Sequence, residues 1–406
     1  MDPLPDDWRL ARLGDSEIAE IRGSKKFPNY ENVAFIPMEY IPDSGTYAKY
    51  EVRPRSQIKS FTYCEKGDLL LAKITPSLEN GKQGIVPDNV PNGFALATTE
   101  VFPISCKRMN SLFVFYVLKH SCFRNKIISS MTGTTGRQRA TKESVEKLFI
   151  PFPPLFEQVK IAEILSTVDQ AIEKVGEAIE KTERLKKGLM QELLTKGIGH
   201  KEFKITEIGT IPIRWEVAKL SQVGKIVTGT TPSTNVDIFW GEGFPFVTPS
   251  DFSSNKYVLK TERNVTEYGV KKAKIIPKDS IMVSCIGSIG EIAMSSGECL
   301  TNQQINSIIC DKENNPHYIY YAMVFSKRRL KRWAGITTNP IVKKSLFELF
   351  PLPLPPLPEQ QKIAEILSSV DKRIETLRKR KERLEKVKRG LMEDLLTGKK
   401  RVKLED

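Results

Sequence analysis

The chain contains one unit twice. PLFEQVKIAEILSTVD, residues 154–169, returns almost unchanged as PLPEQQKIAEILSSVD, residues 356–371. The copies stay in register, with Glu157 on Glu359 and Asp169 on Asp371. The register reaches upstream to Gly133 and Gly335, and downstream to Gly188/Gly390, Leu189/Leu391, Met190/Met392 and Leu194/Leu396. A second pairing opens each unit: LPDDWRLARLG from Leu4 answers IPIRWEVAKLS from Ile211, which puts Trp8 on Trp215 with a short gap inside the unit. A variable block followed by a long helix, present twice, predicts internal pseudo-two-fold symmetry and a partner that is itself doubled.

Composition narrows the partner. The 406 residues suffice for about two or three domains, each with its own core, and the net charge is +14. That charge suits a polyanion, and nucleic acid is the commonest soluble one; a merely soluble basic protein is the plainer alternative. Cys64, Cys106, Cys122, Cys285, Cys299 and Cys310 are scattered with no CxxC pair. This argues against zinc and for a reducing, cytoplasmic setting. The opening MDPLPDDWRL is acidic and has no apolar stretch, so no signal peptide is expected. No apolar run approaches the roughly 20 residues that span a bilayer, so no membrane partner is expected either.

Short β-branched runs bounded by Gly, Pro and Asn predict strands at 68–74 and 100–104 in the first block, and at 280–287 and 304–310 in the second. Residues 111–120 and 317–333 predict helices packed on them. A proline-rich hinge ends each block, at 151–154 and 351–356, where proline imposes an extended path. A long helix follows each hinge. Ile161, Leu165, Val168, Ile172, Val175 and Ile179 alternate spacings of four and three; in the second copy Ile363, Leu367, Val370, Ile374 and Leu377 do so, followed by Leu384, Leu391 and Leu395. That pattern is a coiled-coil seam, with a helix packed on its own block as the alternative. The expected fold class is α+β: two pseudo-symmetric α/β blocks separated by two long helices that pair as an antiparallel coiled coil. The expected boundaries are 1–153, 154–199, 200–355 and 356–406. A helix of about 40 residues is ~60 Å long and would act as a spacer.

Catalytic signatures are missing. His120, His200 and His317 stand in unrelated contexts, so no histidine-based catalytic cluster is expected. There is no P-loop and no G-x-G-x-x-G cofactor loop. Asn315-Pro316-His317-Tyr318 and Asn339-Pro340-Ile341-Val342 only faintly resemble the Asn-Pro-Pro-aromatic motif of amino-methyltransferases, because both lack the second proline. Pro42-Asp43 with Glu51-Val52-Arg53 has arginine where a nuclease metal site needs lysine. Gly287-Ser288-Ile289-Gly290 reads as a tight turn rather than a phosphate cradle.

Polar loops flank the predicted strands and carry the side chains that read base edges: Arg or Lys for guanine, Asn or Gln for adenine, Glu for cytosine, Ser or Thr for several. In the first block the candidates are Lys73, Thr75, Glu79, Asn80, Lys82, Thr99, Glu100, Arg137, Gln138 and Arg139. In the second they are Thr230, Thr231, Ser250, Asp251, Asn302, Gln303, Gln304, Thr338 and Asn339. Each could equally be an ordinary solvated loop residue. The loops differ between the copies while the helices match, as expected if the helices meet one kind of partner twice and the blocks read two different things.

With its PLxEQxxIAxxLxxxD signature following a proline hinge twice, the chain resembles the specificity subunit of a type I DNA restriction-modification system over essentially its whole length. AKITPSLENGK, TTE and GRQR look like one class of target-recognition domain; TGTTPS, VTPSD and TNQQIN look like another. The chain starts almost at its first recognition domain, with a short leader before Trp8. The resemblance implies two target-recognition domains alternating with two conserved helical regions, and a DNA-reading subunit with no catalysis and no cofactor of its own. Each domain would read one half of an interrupted double-stranded target, and the helices would set the gap. The helices would also dock two methyltransferase subunits, which use S-adenosylmethionine to methylate adenine. Restriction subunits would join to translocate and cleave with ATP and Mg. The alternatives are a free-standing, repressor-like DNA-binding protein and a methyltransferase or nuclease in its own right.

Overall fold

The computed structural model describes residues 4–402 except 24, 135, 254 and 335–339. The chain divides into two compact units, Met1–Ala178 with Leu377–Asp406, and Ile179–Thr376. Each unit therefore holds one block, the beginning of one long helix and the end of the other.

In the first unit, one antiparallel sheet runs Ala19–Ile21, Val101–Cys106, Leu69–Ala72, Gln83–Ile85. A second sheet runs Glu51–Pro54, Asn32–Ile36, Phe94–Ala97, Thr62–Glu65, and its two central strands are parallel. Leu69–Ala72 is buried along its whole length, which explains the unbroken apolar run in the sequence. The helix Ser111–Lys119 buries every side chain from Phe113 to Leu118. Its N-terminus is capped by Asn110, whose side chain accepts from Phe113 N at 3.0 Å.

The second unit repeats this plan. Its five-stranded sheet runs Gly224–Thr228, Ile305–Cys310, Ile281–Ser284, Ile292–Ser295, Tyr257–Val258. A three-stranded sheet runs Arg263–Val265, Trp240–Val247, Leu300–Thr301. The helix expected over 317–333 is two, Pro316–Phe325 and Lys327–Trp333. Ser326 interrupts it with ψ near 0°, and its hydroxyl accepts from Arg329 at 3.2 Å. Asn315, in the segment that faintly resembled a methyltransferase motif, caps this helix by accepting from His317 N and Tyr318 N.

The proline hinges are extended as the sequence suggests, but they also pair. Phe149–Phe152 lies antiparallel to Arg9–Arg12, and Pro351–Leu354 to Glu216–Lys219. A two-stranded ribbon leaves one edge of each strand unpaired, so the missing proline N–H costs no ladder bond there. The repeated Trp8 and Trp215 segments are thus the partners of the repeated hinges.

The duplicated signature is a junction motif. Gln158 is fully buried. Its Oε1 accepts from Asn110 N at 2.9 Å and its Nε2 donates to Pro153 O at 2.8 Å. Gln360 does the same with Asn315 N and Pro355 O, both at 2.9 Å. One turn later Ile161, Ala162 and Leu165 enter the core of the first unit, as Ile363, Ala364 and Leu367 enter that of the second. Asp169 then accepts from the Tyr116 hydroxyl at 2.8 Å and pairs with Lys388 at 2.6 Å. Asp371 takes Tyr321 at 2.5 Å and Lys186 at 2.6 Å.

Within each unit the start of one long helix, Leu155–Leu193 or Leu357–Leu396, runs antiparallel to the end of the other. In the first unit the start of the first helix shares a core with Met392, Leu395 and Leu396 near the end of the second. In the second unit the start of the second helix meets Met190, Leu193 and Leu194. Both readings of the seam are therefore realised: the helix ends pack on blocks and on each other. Leu165→Ala should cost about 2–5 kcal/mol, because a fully buried leucine leaves a cavity. Leu185→Ala, at a side chain 56% exposed, should stay within ~0.5 kcal/mol. Urea denaturation of the two variants checks this, and equal losses would mean the helix start is not core.

Candidate nucleic-acid interface

The first block gathers most of its candidates at one end of its sheets. The strand Leu69–Ala72 leads into Lys73, whose N–H donates to Glu100 O at 3.0 Å and whose carbonyl accepts from Ala140 N at 2.8 Å. Thr75 N donates to Gln138 O at 3.0 Å, and Ile74 forms a bridge with Arg139. The backbone thus draws three separate loops together. Arg139 then donates to both oxygens of Glu100, at 3.0 and 2.9 Å. That contact, above all, holds the Glu100 carboxyl below its ordinary range. Thr75 donates to Glu79 at 2.6 Å across the turn that carries exposed Asn80. Lys73 lies 5.2 Å from the Phe102 ring centroid. Thr99 and Arg137 are exposed. Lys82 is turned inward: its ammonium donates to Met38 O at 3.1 Å and Ile41 O at 3.2 Å.

The second block gathers a different set at the matching end. Thr230 N donates to Thr301 O at 2.9 Å, and Thr231 Oγ1 donates to Gln303 Oε1 at 2.5 Å. Asn302 N donates to Val247 O at 3.1 Å, bringing in the loop that holds Ser250 and Asp251. Asn302 Nδ2 donates to Gln304 at 2.9 Å. Gly229 packs so closely on the Thr301 and Asn302 carbonyls that no Cβ would fit. Asp251 is committed to the backbone, accepting from Thr248 N at 2.7 Å and Glu262 N at 2.9 Å, while Ser250 is exposed and shares a 2.7 Å hydrogen bond with Thr248. Thr338 and Asn339 lie outside the described residues. Gly287 and Gly290, both at positive φ, form a tight turn, and Gly287 N donates to Pro340 O at 3.4 Å.

Three cations behind these loops, Arg124 buried and Lys119 and Lys256 partly buried, escaped sequence reasoning. Lys119 donates to Asp43 O at 2.6 Å and Gly81 O at 2.9 Å, clamping the turn that holds Asn80. Arg124 donates to Gln83 Oε1 at 2.6 Å, and Gln83 Nε2 donates to Phe115 O at 2.6 Å. In the second block Lys256 sits 4.5 Å from the Tyr321 ring centroid and donates to Ser368 at 3.2 Å. Burial pushes it down to about 8. Nothing in the local sequence marks these residues, because their partners lie far away along the chain. Among the described residues no group of His, Cys, Asp and Glu could hold a metal ion, and no helix is long and apolar enough to cross a membrane.

The family model described as the type I restriction modification DNA specificity domain matches residues 5–183 and again 212–386. The chain belongs to the type I restriction-modification specificity subunits. The subunit is similar to the type I restriction enzyme MjaVIII specificity subunit of Methanocaldococcus jannaschii, at 31% identity over 98% of this chain and 94% of that protein. It is also similar to the putative MjaX specificity subunit of the same organism, at 29% identity over 98% and 95%. Its fold matches the solved S subunit from M. genitalium, with a TM-score of 0.62 at 15% identity over 98% and 97% of the two chains. A chain from a structure of type I R-M complex assembly and conformational transition matches with a TM-score of 0.58 at 17% identity, over 98% and 99%. As a specificity subunit the chain is non-catalytic, a part of a larger restriction-modification assembly.

The clamp on the first loop has a pH signature. Burial, with repulsion from Arg124 and Lys388 behind it, pushes the Lys119 ammonium down from 10.5 to about 7. Between those values the unfolded chain binds the extra proton, so this term makes stability rise with pH across that window. Lys119→Met should flatten that part of the curve. Urea midpoints of both proteins measured between pH 6 and 10 read this slope. Parallel curves would show that the lysine is not held in this way.

Proposed function

We propose that this specificity subunit reads an asymmetric, two-part DNA target. The block at 1–153 reads one half and the block at 200–355 the other. The observation that carries this reading is the contrast between scaffold and loops. The two units share strand plan, ribbon and junction, yet one presents Lys73, Thr75, Glu100 and Arg139 where the other presents Thr230, Thr231, Asn302 and Gln303. Unlike side chains on like frames favour unlike half-sites.

The paired helices, in this reading, set the distance between the halves and dock two modification subunits on their repeated surfaces. Those subunits would bring S-adenosylmethionine and methylate adenine; restriction subunits would bring ATP and Mg. The complex would work in the cytoplasm.

Arg139→Ala should relax recognition of one half-site, and Gln303→Ala the other. A bidentate base contact is worth about 1–3 kcal/mol, or about 5- to 150-fold in preference. Mapping methylated adenines in cells that carry each variant reads this directly. Equal weakening on all sequences would assign the residue to phosphate contact, and a variant that altered both halves together would contradict the division of labour.

Spacing gives an independent test. A four-residue insertion near Lys181 adds about 6 Å of helix, against about 3.4 Å per base pair of DNA. Provided that the seam accommodates the stutter, the gap between half-sites should lengthen by about one to two base pairs, with both halves unchanged. An active complex with its original gap would show that the helices are not the ruler.

A further inference from the structure

We propose that the second block carries a sequence-independent grip on the DNA backbone, formed by Lys271, Lys272 and Lys274 beside Tyr268. It rests on the DNA-reading function above and adds a surface outside the candidate base-reading loops. The segment is joined to those loops through one strand. Asp251 accepts from Glu262 N at 2.9 Å, and the strand Arg263–Val265 runs from there along Trp240–Val247, with Arg263 opposite Phe246. The strand delivers the chain into the short helix Glu267–Val270 and then the three lysines.

The segment is held in place. Thr266 Oγ1 donates to Ile238 O at 2.6 Å, and Gly269 packs on Phe239 with no room for a Cβ. Yet its cations are turned to solvent. Lys271, Lys272 and Lys274 are all exposed, Tyr268 is 61% exposed, and the Lys271 ammonium stands 5.9 Å from the Tyr268 ring centroid. Some lysines of this unit, Lys186, Lys196, Lys327, Lys344 and Lys362, each pair with a carboxylate within 4.0 Å; these three, close together in sequence, do not among the described residues. Clustered, unneutralised ammonium groups repel one another and favour a polyanion, and lysine meets phosphate as a point charge without reading bases.

Among the described residues of the first block, no such lysine cluster follows the matching strand. After its matching strand, Glu51–Pro54, Arg55 folds back to donate to Ile58 O at 2.6 Å and lies 4.6 Å from the Phe61 ring centroid, while Arg53 pairs with Glu51. The grip is therefore one-sided.

The test uses the complete complex, with the target first mapped from methylation. Lys271→Gln, Lys272→Gln and Lys274→Gln are combined, and binding to target and non-target duplexes is titrated over a salt series. Each lost phosphate contact should lower the slope of log K against log salt by about 0.9, so by up to about 2.7 in all. Affinity should fall by the same factor on both duplexes, with the preference between them intact. A control with Lys201, Lys225 and Lys312 each changed to Gln removes equal charge from exposed positions of the same unit and should leave the slope nearly unchanged. An unchanged slope in the first variant, an equal drop in the control, or a loss confined to the target would overturn the grip. A wild-type complex with no preference for any duplex would instead refute the reading function itself.

Discussion

The structure depends on one buried amide, made twice. Gln158 and Gln360 each sit where a hinge strand turns into a long helix, and each satisfies a block helix through one atom and the hinge carbonyl through the other. A buried side-chain amide left half-satisfied would carry a penalty of about 1–3 kcal/mol. With both groups engaged it fixes the angle at which the helix leaves the block. The apolar turn that follows can then enter the core, and Asp169 and Asp371 arrive where a tyrosine and a lysine meet them.

The consequence is a division of the chain that ignores its linear order. Each block is completed by the end of a helix that belongs, in sequence, to the other copy: Met392, Leu395 and Leu396 close the first, and Met190, Leu193 and Leu194 the second. The two junctions are not identical. Glu359 accepts from His200 and from the Trp215 indole, both within about 3 Å, and also from Ile198 N. Glu157 pairs instead with Arg401, which also holds Asp7. Among the described residues the Trp8 indole nitrogen has no hydrogen-bond partner. The same frame thus tolerates different closures, provided that its junction carboxylate has a donor.

With the frame anchored from behind, the loops at the other end of the sheets are free to differ. Their shape is set mainly by backbone hydrogen bonds, such as Thr75 to Gln138 and Asn302 to Val247, which make little demand on side-chain identity. Side chains there can vary without loss of fold, a property suited to a subunit whose task is specificity. The charged pairs on this surface, Arg139 with Glu100 above all, hold their partners in a defined geometry and remain accessible.

The duplicated signature, the helical seams and the missing catalytic motifs could be read from the residues alone, because periodicity and repetition are local properties of a chain. The strands around Leu69 and Ile281 were legible for the same reason: a short, wholly apolar run has few other fates. Other features depended on distant partners. The proline hinges read as breaks, yet they pair with Arg9–Arg12 and Glu216–Lys219, well over a hundred residues away along the chain. Lys82 reads as a surface cation, but its ammonium is turned onto two carbonyls brought near by folding. Lys119, Arg124 and Lys256 gave no local sign that they would turn inward behind the loops. Sequence by itself determined that there would be two blocks, two long helices and two sets of polar loops, since each follows from pattern within a short window. Which loops converge, which cations turn inward and which helix end closes which block were decided by tertiary structure, because hydrogen bonds and burial are satisfied between residues that only the folded chain brings together.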